Sequence, residues 1–185
     1  MRERRALIVV DMSVEQYANI TYKRREIVES IRSLSKLDWT LKIDSRLWLG
    51  SPEESTLSLA FPEWGRTMGI PGSEGAGLCR ELDGLDLNFV EKKHYSSFVD
   101  TNLLQLLQKA EIDKVYVTGI NTDYCVFLTA MDSQARGRFS TFVIEDAVSS
   151  VTGKVGHVEG IRRTKAHLGN KAVVHSKTMF PCLNS

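Results

Sequence analysis

Apolar residues in this chain fall into short runs separated by stretches of helical spacing. Residues 6–11 (ALIVVD) are apolar up to a terminal aspartate, the pattern of a strand covered on both faces. Residues 24–37 set Ile27, Ile31 and Leu34 at helical spacing with charges between them, which predicts an amphipathic helix. Residues 40–44 and 88–92 (NFVEK) read as the second and third strands. Residues 101–110 put Leu103, Leu104, Leu106 and Leu107 on one helical face. A fourth strand is predicted at 114–120 (KVYVTGI), then a helix over 123–136 that Gly137 would cap. Residues 141–146 (TFVIED) predict a fifth strand, 160–168 a helix stopped by Gly169, and 172–175 a last strand.

Strands that alternate with helices imply a doubly wound, mainly parallel sheet between two helical layers. The expectation is therefore a three-layer α/β/α, Rossmann-like fold of about six strands, with residues 1–185 as a single domain. Residues 50–77 break the alternation. They hold three of the four prolines, and Trp48 and Trp64 lie beside or within them. A loop of this length inside a compact domain is usually functional or disordered, and aromatic residues are rare in disordered segments. The reading is an ordered excursion that lines a pocket; a surface insertion packed on itself is the alternative.

Composition narrows the function classes. The chain has 185 residues, 42% hydrophobic and 25% charged, with a net charge of +1. So balanced a charge provides no strong field for nucleic acid or anionic lipid, and neither nucleic acid nor membrane is expected as a partner. No apolar run approaches the ~20 residues that cross a bilayer. Three cysteines without a C-x-x-C pair argue against a thiolate zinc site or a disulfide framework. Reduced thiols and a cytoplasmic location are the simpler expectation.

In open parallel α/β sheets ligands bind beyond the carboxyl ends of the strands. Asp11, Asp44, the 91–93 segment, the 119–121 segment and Asp146 occupy those ends. Cys125 follows the fourth strand by five residues, at the expected start of a helix. There the helix dipole favours a thiolate, and free N–H groups can hold an oxyanion. A small buried apolar role is the alternative for Cys125. Asp11 could accept the thiol proton or merely cap a helix, and Lys92 could hold the charged cluster or simply face water. Together the three would supply base, cation and nucleophile on one edge of the sheet.

Four segments resemble the isochorismatase-like cysteine hydrolases, a superfamily that includes nicotinamidases and proteins related to N-carbamoylsarcosine amidohydrolase. ALIVVDMS resembles the strand that ends in the family's catalytic aspartate, here Asp11. VEKKHYSSF resembles its lysine motif in a register that selects Lys92 rather than Lys93. DTNLLQLL resembles the helix that follows, although Asp100 stands where relatives often have glycine. VYVTGINTDYCVFLTAMDSQARG resembles the nucleophile segment, with Cys125 as the attacking thiol. The resemblance implies a cis peptide bond between Ile120 and Asn121, and an oxyanion hole made by the N–H groups of Asn121 and Cys125. It also implies a homodimer or homotetramer.

Nicotinamidases of this family hold a metal with an aspartate and two histidines. Asp44 matches the aspartate, but Arg46 and Thr67 stand where the histidines are expected, and positions 42 to 92 contain no histidine. No metal or other cofactor is therefore expected. The resemblance implies hydrolysis of a C–N bond in a small amide or carbamoyl compound through a thioester on Cys125. Arg46 is the candidate for a substrate carboxylate, with Trp48 and Trp64 as walls of the pocket. Surface ion pairing for Arg46 and core or interface packing for the tryptophans are the alternatives. The rival functions are a nicotinamidase-like or isochorismatase-type hydrolase, a binding or scaffold protein that keeps the fold without turnover, and a redox role with a sulfenic acid on Cys125.

Overall fold

The structure, a computed structural model, describes residues 3–49, 55, 57, 60–61, 67–136 and 139–184. Trp64 and Gly137 lie outside the described residues. Six parallel strands form one sheet: β1 (Arg5–Val10), β2 (Leu41–Leu47), β3 (Asn88–Lys92), β4 (Lys114–Ile120), β5 (Ser140–Ser149) and β6 (Val173–Val174). Their spatial order is β3-β2-β1-β4-β5-β6. The chain winds outward from β1 to β3 and then returns to lay β4 against the other side of β1. The strand order therefore reverses between β1 and β4, and a ligand crevice opens at such a point.

Alternation along β1 divides the core into two layers. Ala6, Ile8 and Val10 face α3 (Leu103–Lys109), α4 (Cys125–Ala135) and Ile161 of α5 (Gly153–Leu168). Leu7 and Val9 face α2 (Arg24–Ser35), packing with its Ile27, Ile31 and Leu34 and with Trp39 and Phe180. Two shorter helices are α1 (Val14–Ala18), capped by the Ser13 side chain, and α6 (Ser176–Met179). The three-layer parallel architecture expected from the alternation is the one observed.

Three elements differ from the pattern reading. Strand β2 runs to Leu47, three residues past Asp44. Strand β5 runs to Ser149, with a register shift against β4 between Val117 and Gly119. Helix α5 begins at Gly153 rather than at 160. Its first two turns carry Gly153 and Gly156, and its Val155 and Val158 are exposed, so no apolar stripe announced them. Asp100 has φ +53°, a left-handed conformation that favours glycine and that aspartate tolerates better than most residues. That explains the substitution at this position, and the Asp100 carboxylate meets His94 Nε2 at 3.0 Å.

Candidate active site

The carboxyl end of β1 delivers Asp11 with φ +50°. Its N–H donates to the Ser45 carbonyl (2.8 Å) and its Oδ1 accepts the Leu47 N–H (2.9 Å). The last residues of β2 thus fix the carboxylate from both its backbone and its side chain. Lys92 ends β3 at the edge of the sheet, opposite Leu47 in the register. Its ammonium reaches inward to 2.7 Å from Asp11 Oδ2 and donates to the carbonyls of His94 (3.1 Å) and Tyr95 (3.4 Å). Both side chains have 0% exposure. Cys125 opens α4, and its Sγ lies 3.6 Å from Lys92 Nζ. The structure therefore brings Asp11, Lys92 and Cys125 together at the switch point.

Charge in this cluster is set by competing terms. Burial pushes the Lys92 ammonium down, but the Asp11 carboxylate and the Cys125 sulfur outweigh it and hold Lys92 above the usual lysine value. Burial pushes the Cys125 thiol up. Lys92 opposes that rise, while Asp11 reinforces it. Burial at this site thus opposes the thiolate that the helix N-terminus favours.

The Ile120–Asn121 peptide bond is cis. The Asn121 carbonyl accepts from Tyr124 (3.1 Å) and Val126 (3.0 Å), which closes a tight turn just before α4. Asn121 lines the same cavity as Cys125, and Cys125 contributes the first N–H of the helix, a group with no intrahelical partner.

A cavity of about 400 Å³ opens over Cys125. Leu47, Phe61, Met68, Tyr95, Tyr124 and Val151 form most of its wall, with Gln16, Asn19, Asn121 and Thr152 as its polar members. The Tyr95 and Tyr124 rings stack at 5.8 Å. The described part of the 50–77 excursion contributes Phe61 and Met68, so that segment does line a pocket. Tyr95 and Tyr124 adjoin the lysine and cysteine motifs in sequence, and that adjacency could have singled them out. Gln16, Asn19 and Val151 gave no signal in the sequence.

Two residues expected to meet substrate have partners within the chain. Arg46 Nε donates to both oxygens of Asp44 at 2.9 Å, Nη1 donates to the Ala76 carbonyl, and the guanidinium covers the Phe89 ring at 4.7 Å. The residue is buried and lies outside the cavity lining. It is held there because a buried guanidinium needs every donor satisfied. Trp48 stacks edge-on against Phe89 at 5.2 Å and also lies off the cavity. Burial pushes Asp44 up to about 6 even with Arg46 beside it.

The Asp44 site does not fit the metal set of one aspartate and two histidines that the resemblance implies for nicotinamidases. Both of its oxygens are taken by a guanidinium, a cation stands where a ligand would be needed, and zinc sites are built from Cys, His and carboxylate donors. Among the described residues no group of three or more His, Cys, Asp or Glu side chains could hold a metal. No described helix is long and apolar enough to cross a membrane.

Comparison with known proteins gives the same outline. The isochorismatase domain model matches residues 5–176. The chain is 28% identical over 153 residues to YrdC of Bacillus subtilis, an uncharacterized isochorismatase family protein, covering 81% of this chain and 76% of that one. Nicotinamidase PncA from Bacillus subtilis superposes with a TM-score of 0.72 at 26% identity, over 93% of this chain and 99% of that one. An isochorismatase family protein from Desulfovibrio vulgaris superposes over the whole of both chains with a TM-score of 0.81 at 18% identity. With the domain model spanning nearly its full length, the chain belongs to the isochorismatase family.

Proposed function

We propose that the protein is a cysteine amidohydrolase that cleaves the C–N bond of a small amide through a thioester on Cys125. The observation that carries this reading is the buried cluster of Asp11, Lys92 and Cys125, with Lys92 Nζ 2.7 Å from the carboxylate and 3.6 Å from the sulfur, and with Cys125 lining the cavity. Asp11 takes the thiol proton as sulfur attacks the amide carbon. The N–H groups of Asn121 and Cys125 hold the oxyanion. Collapse of the tetrahedral adduct breaks the C–N bond, and Asp11 returns the proton to the departing ammonia or amine. Water, deprotonated by Asp11, then cleaves the thioester and releases a carboxylic acid. Lys92 keeps its charge throughout and holds both partners in register.

The cavity favours an uncharged amide with an apolar body over a carbamoyl amino acid. Among the described residues none that line it is charged. Arg46, the residue suited to a carboxylate, is committed to Asp44. The solved nicotinamidase relative supports the same preference.

Ammonia release is the test, measured with nicotinamide, benzamide and pyrazinamide against N-carbamoyl amino acids. The neutral amides are expected to be cleaved faster, and Cys125→Ala is expected to lower kcat by about 10³-fold or more. Undiminished turnover in that variant would refute the thioester route. Faster cleavage of the carbamoyl amino acids would refute the substrate preference.

A further inference from the structure

The turn that presents Cys125 is held by the β5–α5 junction through several hydrogen bonds. Asp123 is buried, and its carboxylate accepts two hydroxyls, Ser150 Oγ on Oδ1 at 2.6 Å and Thr152 Oγ1 on Oδ2 at 3.0 Å. Its carbonyl accepts Arg163 Nη1 from α5 at 3.0 Å. Just before it in the chain, the Thr122 N–H donates to the Ser149 carbonyl (2.9 Å) and Asn121 Oδ1 accepts the Val151 N–H (2.9 Å). Helix α5 lies against the same turn. A Cβ on Gly160 would meet the Thr122 carbonyl carbon and oxygen at 2.4 Å, and one on Gly156 would meet Asp123 Oδ2 at 2.6 Å. Glycine is the residue that lets a helix approach this closely.

We propose that Asp123 is a positioning residue for the reaction: through Ser150 and Thr152 it locks the Asn121–Tyr124 turn to the β5–α5 junction, so that the Asn121 N–H stays aimed at the oxyanion. This inference rests on the amidohydrolase reading above. Asp123 itself does not line the cavity; it acts through the turn. A carboxylate suits the task because each of its two oxygens can accept from one of the hydroxyls. The same junction supplies Val151 and Thr152 to the cavity wall, so one side chain ties the nucleophile turn to the surface that receives the substrate. Displacing donors by about 1 Å can cost on the order of 10²-fold in rate.

The test uses Asp123→Ala, Asp123→Asn and Ser150→Ala in the full chain. Benzaldehyde labelled with ¹³C at the carbonyl is titrated with each variant and with a Cys125→Ala control. Addition of the Cys125 thiol forms an S–C bond and opens the carbonyl, and the hemithioacetal oxygen carries the thiol proton or sits as an oxyanion between the two N–H groups. Its Kd, read from the ¹³C signal, therefore reports the aim of those donors without any turnover. Asp123→Ala is expected to weaken the adduct by about 10-fold or more and to lower kcat by about 10²-fold with KM changed less than about threefold. Asp123→Asn, which keeps one acceptor, is expected to fall between Asp123→Ala and the wild type. If Asp123→Ala does not fold, Asp123→Asn and Ser150→Ala decide the matter, each expected to weaken the adduct at an unchanged melting temperature. Wild-type Kd and kcat in the folded variants would overturn the proposal. A wild-type protein that forms the Cys125-dependent adduct but releases no ammonia from any amide would refute the hydrolase reading and leave the positioning result intact.

Discussion

Lys92 carries its charge with no exposure. That is tolerable because Asp11 faces the ammonium at 2.7 Å and two backbone carbonyls and the Cys125 sulfur accept from it. Removing one partner of such a pair strands the other charge in a medium that solvates it poorly, at a cost of about 3–5 kcal/mol. Lys92→Met is therefore expected to lower unfolding free energy by about that amount in urea titrations. Adding Asp11→Asn should restore part of the loss, since the stranded carboxylate is then gone. A double variant no more stable than Lys92→Met would contradict the pairing. Arg46 and Asp44 follow the same rule next to the cluster, which is why the guanidinium is spent on structure and not on a ligand.

At the scale of elements, the site depends on how closely β4 and α4 can approach β1. Gly119 has φ +99°, and a Cβ there would lie 2.1 Å from the Val10 carbonyl oxygen. The contact is with backbone, so no side-chain rotation can relieve it. Gly119→Ala is expected to destabilise the protein by more than about 3 kcal/mol, seen as a lowered urea midpoint or the loss of soluble protein. A wild-type midpoint would show that the strands have room to separate. The α5 boundary shows the same physics from the sequence side. Its first two turns were unreadable because Gly153, Gly156 and Gly160 blur the helical period, and the contact that makes Gly156 and Gly160 useful lies some thirty-five residues away in the chain.

Across the whole molecule, the sheet separates two apolar layers, and the chemistry belongs to one of them. Cys125 packs with the layer of α3 and α4, while Leu34 of α2 sits in the other, behind β1. Distant sites without shared partners contribute independently. Leu34→Ala is thus expected to cost about 2–5 kcal/mol of stability and to leave kcat and KM for the amide unchanged well below the melting temperature. A parallel fall in kcat would mean that the two layers are coupled through β1.

What the sequence alone determined was whatever is local or periodic. Buried strands, amphipathic helices and the strand-end positions of Asp11, Lys92 and the Cys125 turn all follow from patterns a few residues wide. The resemblance of the motifs around them singled out Asp11, Lys92 and Cys125 together and the cis bond. Tertiary structure decided the rest. It set the strand order that lets an edge-strand lysine reach a carboxylate two strands away, the internal partner that claims Arg46, the rise of the Cys125 thiol on burial, and a cavity wall drawn from distant segments of the chain. Those properties depend on which surfaces meet and how much water they exclude, and neither is encoded in the spacing of neighbouring residues.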